Sequence, residues 1–207
     1  MKNLGASLPR TGEGIVIDVG TGDGRFVSAM AKANPNKFFI GVDANVKPLE
    51  KPSMKATRKP DKGGLPNAMF VQAAIESLPE EFSGIADEIH IHFPWGSLLR
   101  AVATGDAEIL SSLRRVAAPG CLLEIVIGID AERDRAELRR LGLAVETVDY
   151  FTNTLASRYN ASGFETVEIR PLNRTKWSRI ETSWARKLGG DKRKVTLFVF
   201  RASVACT

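Results

Sequence analysis

The segment from residue 18 to residue 24 combines two carboxylates with three glycines, in the order Asp-Val-Gly-Thr-Gly-Asp-Gly. Glycine lets the backbone turn sharply and lets a ligand approach closely, so this spacing is typical of a loop that binds a nucleotide. A further carboxylate, Asp43, follows about twenty residues later, the separation at which an acidic side chain binds two ribose hydroxyls. These residues therefore favour the binding of a cofactor that contains a nucleoside.

Two acidic residues of this loop distinguish between possible cofactors. Asp18 stands before the first glycine, where a carboxylate suits the ammonium end of a methionine moiety and repels a pyrophosphate. Asp23 adds negative charge where a dinucleotide would place its phosphates. The residues favour S-adenosylmethionine (SAM), with a dinucleotide site and a tight turn without ligand as the alternatives. The predicted cofactor-binding residues are Asp18, Gly20, Thr21, Gly22, Gly24, Asp43, Ala44, Ala73, Ala74 and Glu76.

The elements that must position these residues alternate between strands and helices. Apolar runs predict strands at 15–19, 37–43, 68–72, 87–93, 121–129, 164–170 and 195–201. Helical spacing predicts helices at 25–34, 106–117 and 148–161, and an interrupted helix within 47–62, where Pro48 and Pro52 lie. Such alternation is typical of βαβ units and a parallel sheet.

Composition excludes several classes of protein. The 207 residues suit one domain, with 43% hydrophobic and 26% charged residues. Two cysteines are too few for a disulfide scaffold, and His90 and His92, which share one face of a predicted strand, are interpreted as structural. We therefore predict no metal site. Neither a membrane span nor a signal peptide is evident, so we expect a cytoplasmic protein.

Three further motifs carry a specific resemblance. Residues 92–100 read HFPWGSLLR, residues 62–67 read KGGLPN and residues 181–184 read ETSW. Together with DVGTGDG they resemble the Kam-type aminoglycoside-resistance methyltransferases, which belong to the class I SAM-dependent methyltransferases. The resemblance spans roughly Gly14 to Arg201. It implies a Rossmann-like α/β fold with a seven-stranded, mostly parallel sheet, an antiparallel last strand and helices on both faces.

The resemblance also implies a reaction. Kam-type enzymes methylate ring nitrogen 1 of adenine 1408 in 16S ribosomal RNA, within the 30S subunit. It implies that a flipped adenine stacks between the indoles of Trp95 and Trp184, since a base must leave its stack before a methyl group reaches it. Trp177 has no such motif and is interpreted as a packing residue. The residues expected at the reaction centre are Phe93, Pro94, Trp95, Ser183 and Trp184.

Basic residues concentrate in two segments of a chain whose net charge is only +5. Residues 47–62 carry a net charge of +4 and residues 170–194 carry +7, so the rest of the chain carries −6. Cationic segments beside an aromatic pair are expected of an RNA site. The predicted phosphate contacts are Lys62, Arg179, Arg186, Lys187, Lys192, Arg193 and Lys194.

Three other functions remain open at this stage. A transfer-RNA guanine-7 methyltransferase has a similar first half, but it expects a charged continuation where this chain has Gly96-Ser97-Leu98-Leu99. A non-catalytic RNA-binding protein would not need the intact cofactor loop. A small-molecule methyltransferase would not need the two basic segments. The favoured prediction is one domain, residues 1–207, that acts as a monomer on 16S rRNA with SAM as cofactor.

Overall fold

The computed structural model describes residues 14–143, 147–188 and 193–204, with the backbone alone for 147–153. The strands are β1 (Ile15–Val19), β2 (Phe38–Asp43), β3 (Ala68–Gln72), β4 (Ala86–His92), β5 (Ala117–Ile129), β6 (Phe164–Leu172) and β7 (Lys194–Ala202). The helices are α1 (Arg25–Ala33), α2 (Val46–Ala56), α3 (Gly96–Thr104), α4 (Ala107–Val116), α5 (Arg135–Arg140), α6 (Thr147–Ala161), α7 (Arg174–Trp177) and α8 (Ser183–Lys187). No described helix has the length and hydropathy needed to cross a membrane.

The strands form a single sheet in the order β3-β2-β1-β4-β5-β7-β6. Strands β1 to β5 pair in parallel, whereas β7 lies between β5 and β6 and runs antiparallel to both. The expected seven-stranded sheet is thereby confirmed. The strand order reverses between β1 and β4, and in such sheets ligands bind at the carboxyl ends of the strands beside this switch point.

Apolar side chains cover the two faces of the sheet differently. On one face a large cluster includes Ile17, Ile91, Leu113 and Tyr159, all fully buried. On the other face α1 and α2 cover one half through a smaller cluster, and a third cluster around Trp177 covers the region near β5 and β7. The sheet therefore has helices on both faces, as expected.

Several boundaries differ from the sequence prediction. The segment around Trp95 leads directly into α3, and neither α3 nor the short helix α5 was predicted. Pro52 lies inside α2 without ending it. Strand β5 begins at Ala117, earlier than predicted. Pro119 and Gly120 lie inside this strand, at the point where its register with β4 shifts, and they do not interrupt it.

Candidate functional site

The glycine loop is held against the carboxyl end of β2. The amides of Gly20 and Thr21 both donate to the carbonyl of Val42, at 2.8 and 3.0 Å. Gly20 has a φ of 76°, and a Cβ there would lie 2.7 Å from a methyl group of Leu98. Only glycine satisfies both the backbone angle and this close approach. The loop therefore leaves its backbone open on the side of the sheet edge.

Asp43 is oriented by two backbone donors. The amide of Gly22 donates to Oδ2 and the amide of Asn45 donates to Oδ1, each at 2.8 Å. Each carboxylate oxygen has a second lone pair, so the side chain can still accept two hydrogen bonds. This arrangement fits the predicted role of Asp43, which is to accept hydrogen bonds from the two hydroxyls of a ribose.

A cavity of about 550 Å³ opens at the edge of the sheet beside this loop. That volume is typical of a site for a small molecule or cofactor. Among its lining residues are nine of the predicted cofactor-binding residues, Asp18, Gly20, Thr21, Gly22, Asp43, Ala44, Ala73, Ala74 and Glu76. The five residues predicted for the reaction centre, Phe93, Pro94, Trp95, Ser183 and Trp184, also line it.

Gly24 is the predicted cofactor residue that does not line the cavity. It is buried, and a Cβ there would lie 2.5 Å from the ring of Phe70 and 2.9 Å from Pro52. Its φ of 66° places it as the residue before the first residue of α1. Gly24 therefore serves the packing of the helix start against α2 and β3 and does not contact the cavity.

Asp18 is a buried carboxylate at the cavity wall, only 4% exposed. Burial raises the pKa of Asp18 above its ordinary value. The charges of His92 and His90 act in the opposite direction and stabilise the carboxylate. A buried anion of this kind fits a cationic ligand group, as the sequence suggested.

A network of two histidines and two glutamates lies beneath Asp18. His92 Nε2 lies 2.9 Å from Glu124 Oε1, and His90 Nε2 lies 3.2 Å from Glu88 Oε2. Burial opposes the charged form of His90, but its hydrogen bonds with Glu124 and Glu88 outweigh burial and raise its pKa to about 9. The hydrogen bond with His90 in turn lowers the pKa of Glu88 to about 2.

Sequence reasoning did not join Glu124 to the two histidines. In the sequence, Glu124 is the one charged residue within the otherwise apolar run 121–129. Of the side chains that the structure describes, His90, His92 and Glu124 form the one group of potential metal-binding type whose donor atoms lie within 4.8 Å of one another. These atoms contact one another as an ion-pair network.

The indoles of Trp95 and Trp184 stack on each other at the mouth of the cavity. Their ring centroids are 5.3 Å apart and their planes are inclined by 25°. The ammonium of Lys187 lies 5.5 Å from the centroid of the Trp184 ring. Trp95 remains 38% exposed, which is unusual for so large an apolar side chain. The structure therefore brings together the two tryptophans that the resemblance paired.

Local structure before each of the two tryptophans positions its indole. Phe93 has a φ of 50°, the one positive value among the described non-glycine residues, and such a conformation costs about 1–3 kcal/mol. Its ring packs on Trp177, which is 1% exposed, so the packing role predicted for Trp177 is confirmed. Opposite, Thr182 Oγ1 accepts a hydrogen bond from the amide of Ala185 at 3.0 Å and caps α8.

The predicted phosphate contacts fall into three groups. Lys62, Arg179, Arg186, Lys187 and Lys194 are exposed. Arg193 forms an ion pair with the buried carboxylate of Asp134, and its side chain is only 9% exposed. Lys192 lies outside the described residues.

Comparison with known proteins identifies the family. The family model NpmA, described as 16S rRNA (adenine(1408)-N(1))-methyltransferase, matches residues 4–203. A protein of that name from Streptoalloteichus tenebrarius is 34% identical over 192 residues, which cover 92% of this chain and 87% of the relative.

Two crystal structures are also similar. That of the aminoglycoside resistance methyltransferase NpmB1 has a TM-score of 0.82 at 48% identity, over 93% of this chain and 89% of the other. A mutant 16S rRNA (adenine(1408)-N(1))-methyltransferase from Catenulisporales acidiphilia, crystallised with cosubstrate SAM, has a TM-score of 0.84 at 38% identity, over 95% and 89%. The chain belongs to the NpmA family of 16S rRNA (adenine(1408)-N(1))-methyltransferases.

Proposed function

We propose that this chain transfers a methyl group from SAM to ring nitrogen 1 of adenine 1408 in the 30S subunit, and that the modification confers aminoglycoside resistance. The observation that carries this proposal is the pair of stacked indoles, Trp95 and Trp184, at the mouth of a cavity whose wall holds two carboxylates. A flat aromatic slot suits an extruded base, and the carboxylates suit a cationic nucleoside.

The cavity residues fit SAM at both of its polar ends. The two free acceptor positions of Asp43 would hold the ribose hydroxyls, and buried Asp18 would hold the ammonium group. Ala73, Ala74 and Glu76, at the end of β3, would flank the adenine ring. SAM supplies a sulfonium methyl group that is already activated for transfer.

The target base would enter between the two indoles. A base sandwiched between two rings at van der Waals distance needs about 7 Å between the ring planes. The indole centroids are only 5.3 Å apart, so the rings must move apart to admit the base. Each indole would then stack on one face of the adenine instead of on the other indole, so neither ring would lose stacking area.

Proton transfer is not required of the protein. Nitrogen 1 of an unpaired adenine carries an in-plane lone pair, so alignment of nitrogen, methyl carbon and sulfur supplies most of the catalysis. In keeping with this, the described lining of the cavity contains neither lysine nor cysteine. The residues of the site orient both reactants and exclude water.

Exposed cations extend this site toward RNA phosphates. Lys62 follows α2, Arg179 lies between α7 and α8, and Arg186 and Lys187 lie in the last turn of α8 beside Trp184. We propose these residues and Lys194 as phosphate contacts, with an affinity that falls as salt rises. Arg193 is paired with Asp134 inside the protein, so we assign it to anchoring the start of β7.

Methyl transfer to purified 30S subunits tests the proposal directly. With tritiated SAM, we expect label in 16S rRNA and a primer-extension stop one base before adenine 1408, because a methyl group on nitrogen 1 blocks pairing. Subunits with guanine at position 1408 are the matched control and should remain unlabelled. Label confined to transfer RNA would instead support the guanine-7 alternative.

Resistance and cofactor binding complete the test. Expression of the active chain should raise the aminoglycoside concentration that inhibits a susceptible host, and Trp95→Ala should raise it less. Calorimetry should show SAM binding by both forms, since Trp95 lies at the base slot. A chain that binds RNA but no SAM would indicate a non-catalytic protein and sink the proposal.

A further inference from the structure

One row of charged side chains crosses three neighbouring strands behind the cofactor cavity. Asp18 on β1 is the register partner of His90 on β4, and His90 is the register partner of Glu124 on β5. Register partners on neighbouring strands lie about 5 Å apart and project from the same face of a sheet. Along the row, Asp18 can carry a negative charge, His90 a positive charge and Glu124 a negative charge.

Short contacts join the histidines to carboxylates on the side away from Asp18. His90 Nδ1 lies 3.4 Å from Glu124 Oε1, and His92 Nε2 lies 2.9 Å from the same oxygen. Glu88 contacts His90 from the other edge and is itself bound by Lys37 at 2.7 Å. Both imidazoles thus have carboxylate partners.

Helix α1 covers this network. The ring of Phe26 lies 4.6 Å from the imidazole of His92 and 5.1 Å from that of His90, measured between centroids. The side chain of His92 is only 2% exposed and that of His90 is 14% exposed. Because water is largely excluded, charges in the row act on one another more strongly than they would at a surface.

We propose that His90 and His92 are positioning residues for the cofactor, and that these imidazoles, held by their contacts with Glu124, support the Asp18 carboxylate as the acceptor of the ammonium group of SAM. This inference rests on the proposed function, in which Asp18 receives that group. Neither histidine would act on the methyl group or on the target base.

The charges around Asp18 agree with this assignment. Burial raises the pKa of Asp18, and the carboxylate of Asp43 on β2 adds to the increase. The charges of His92 and His90 are the side-chain charges that lower it. The other groups that face the histidines are Glu88 and Glu124, which stabilise the imidazolium form of His90, while α1 presents the uncharged ring of Phe26.

The sign of the pH effect follows. A carboxylate that binds an ammonium group must be deprotonated, so the affinity for SAM should fall as pH decreases through the pKa of Asp18. Removing the imidazolium charge raises that pKa further and moves the loss of affinity to higher pH. The amine of SAM is protonated below pH of about 7, so the acidic part of the profile reports on the protein.

Calorimetric titration of the full chain, with two ligands over a range of pH, tests the inference. The ligands are SAM and 5′-methylthioadenosine, which keeps the nucleoside and lacks the amino-acid part. In His90→Gln/His92→Gln we expect the acidic loss of SAM affinity to move up by about one pH unit, a tenfold weaker affinity within that range. Binding of 5′-methylthioadenosine should change less than about twofold, because it has no ammonium group for Asp18.

Two further variants control for packing. Val199 is the register partner of Glu124 and occupies the next position of the same row. Val199→Thr changes the packing there without changing charge, so this variant should keep the wild-type pH profile of SAM affinity. Glu88→Gln leaves both imidazoles in place but removes one partner of His90, and should shift the profile in the same direction by less. Glu88→Gln keeps the inference testable if the double variant does not fold.

The outcomes separate the two proposals. Equal losses for both ligands, or an unchanged SAM profile in the double variant and in Glu88→Gln, would overturn the positioning role while leaving SAM as the cofactor. Failure of the wild-type chain to bind SAM would overturn the proposed function. If Asp18→Asn changed neither the affinity for SAM nor the pH dependence of that affinity, the ammonium group of SAM would lie elsewhere. The positioning role of the histidines would then be wrong, while SAM would remain the cofactor.

Discussion

The stacked indoles lead to a quantitative prediction about paired mutations. In the free protein Trp95 and Trp184 stack on each other at 5.3 Å, and such an aromatic pair contributes about 0.5–1.5 kcal/mol. A bound adenine replaces this contact by two stacks, each worth about 1–3 kcal/mol. Removing one indole therefore costs one stack with the base, but it also abolishes the contact that the base had to displace.

The magnitudes then follow from central values. With about 2 kcal/mol per base stack and about 1 kcal/mol for the indole pair, Trp95→Ala and Trp184→Ala should each cost about 1 kcal/mol, or roughly fivefold in kcat/KM. The double mutant loses both base stacks and recovers the indole contact once, so it should cost about 3 kcal/mol, roughly 150-fold. Independent effects would give only about 25-fold.

Initial rates of tritiated methyl transfer to 30S subunits, at subunit concentrations well below KM, measure kcat/KM for the four proteins. Thermal melting and SAM titration of each variant establish that fold and cofactor site persist. A double mutant no worse than the product of the single mutants would show that the indoles do not displace each other. The proposed opening of the slot would then be wrong.

Three other predictions concern single residues. Asp43→Asn should weaken SAM binding by about ten- to a hundredfold in calorimetry, because a charge-assisted hydrogen bond contributes about 1.5–3 kcal/mol, and unchanged affinity would contradict the ribose role. Gly64→Ala should lower the melting temperature by several degrees, since its Cβ would lie 1.8 Å from the carbonyl oxygen of Arg58, whereas Gly63→Ala meets open space and should lower it less. In Cys206→Ser the remaining thiol, Cys121, should resist a thiol reagent at pH 8 until guanidinium unfolds the chain, because burial raises its pKa to about 12; rapid labelling of the native form would show that the strand opens.

Features that depend on neighbouring residues in the chain were predictable from the sequence. The glycine loop and Asp43 lie at the ends of consecutive strands, so the βαβ connection alone brings them together. The seven strands and the antiparallel β7 were also predicted and are confirmed. Trp95 and Trp184 were paired only through the family resemblance, because they lie 89 positions apart in the chain.

Features that depend on register or on unusual caps were not predictable. Glu124 meets His90 only through the alignment of β4 with β5, which a one-residue slip would have reversed. Helix α3 begins directly after Trp95, a residue type that makes no side-chain cap, so its start carries no sequence signal. The buried pair of Arg193 and Asp134 joins residues 59 positions apart, and the basic run alone suggested a solvated cation.

The position of β7 has a consequence for biosynthesis. Because β7 fits between β5 and β6, the sheet stays open along this seam until the chain has been made through residue 202. Trp184 lies between β6 and β7, and its neighbours Leu188, Val195 and Leu197 form one apolar cluster. Pairing over such long sequence separations is slow compared with local helix formation. The surface proposed to recognise ribosomes is thus among the last parts to form, and a ribosome that is still synthesising β7 cannot yet be a target of its own product.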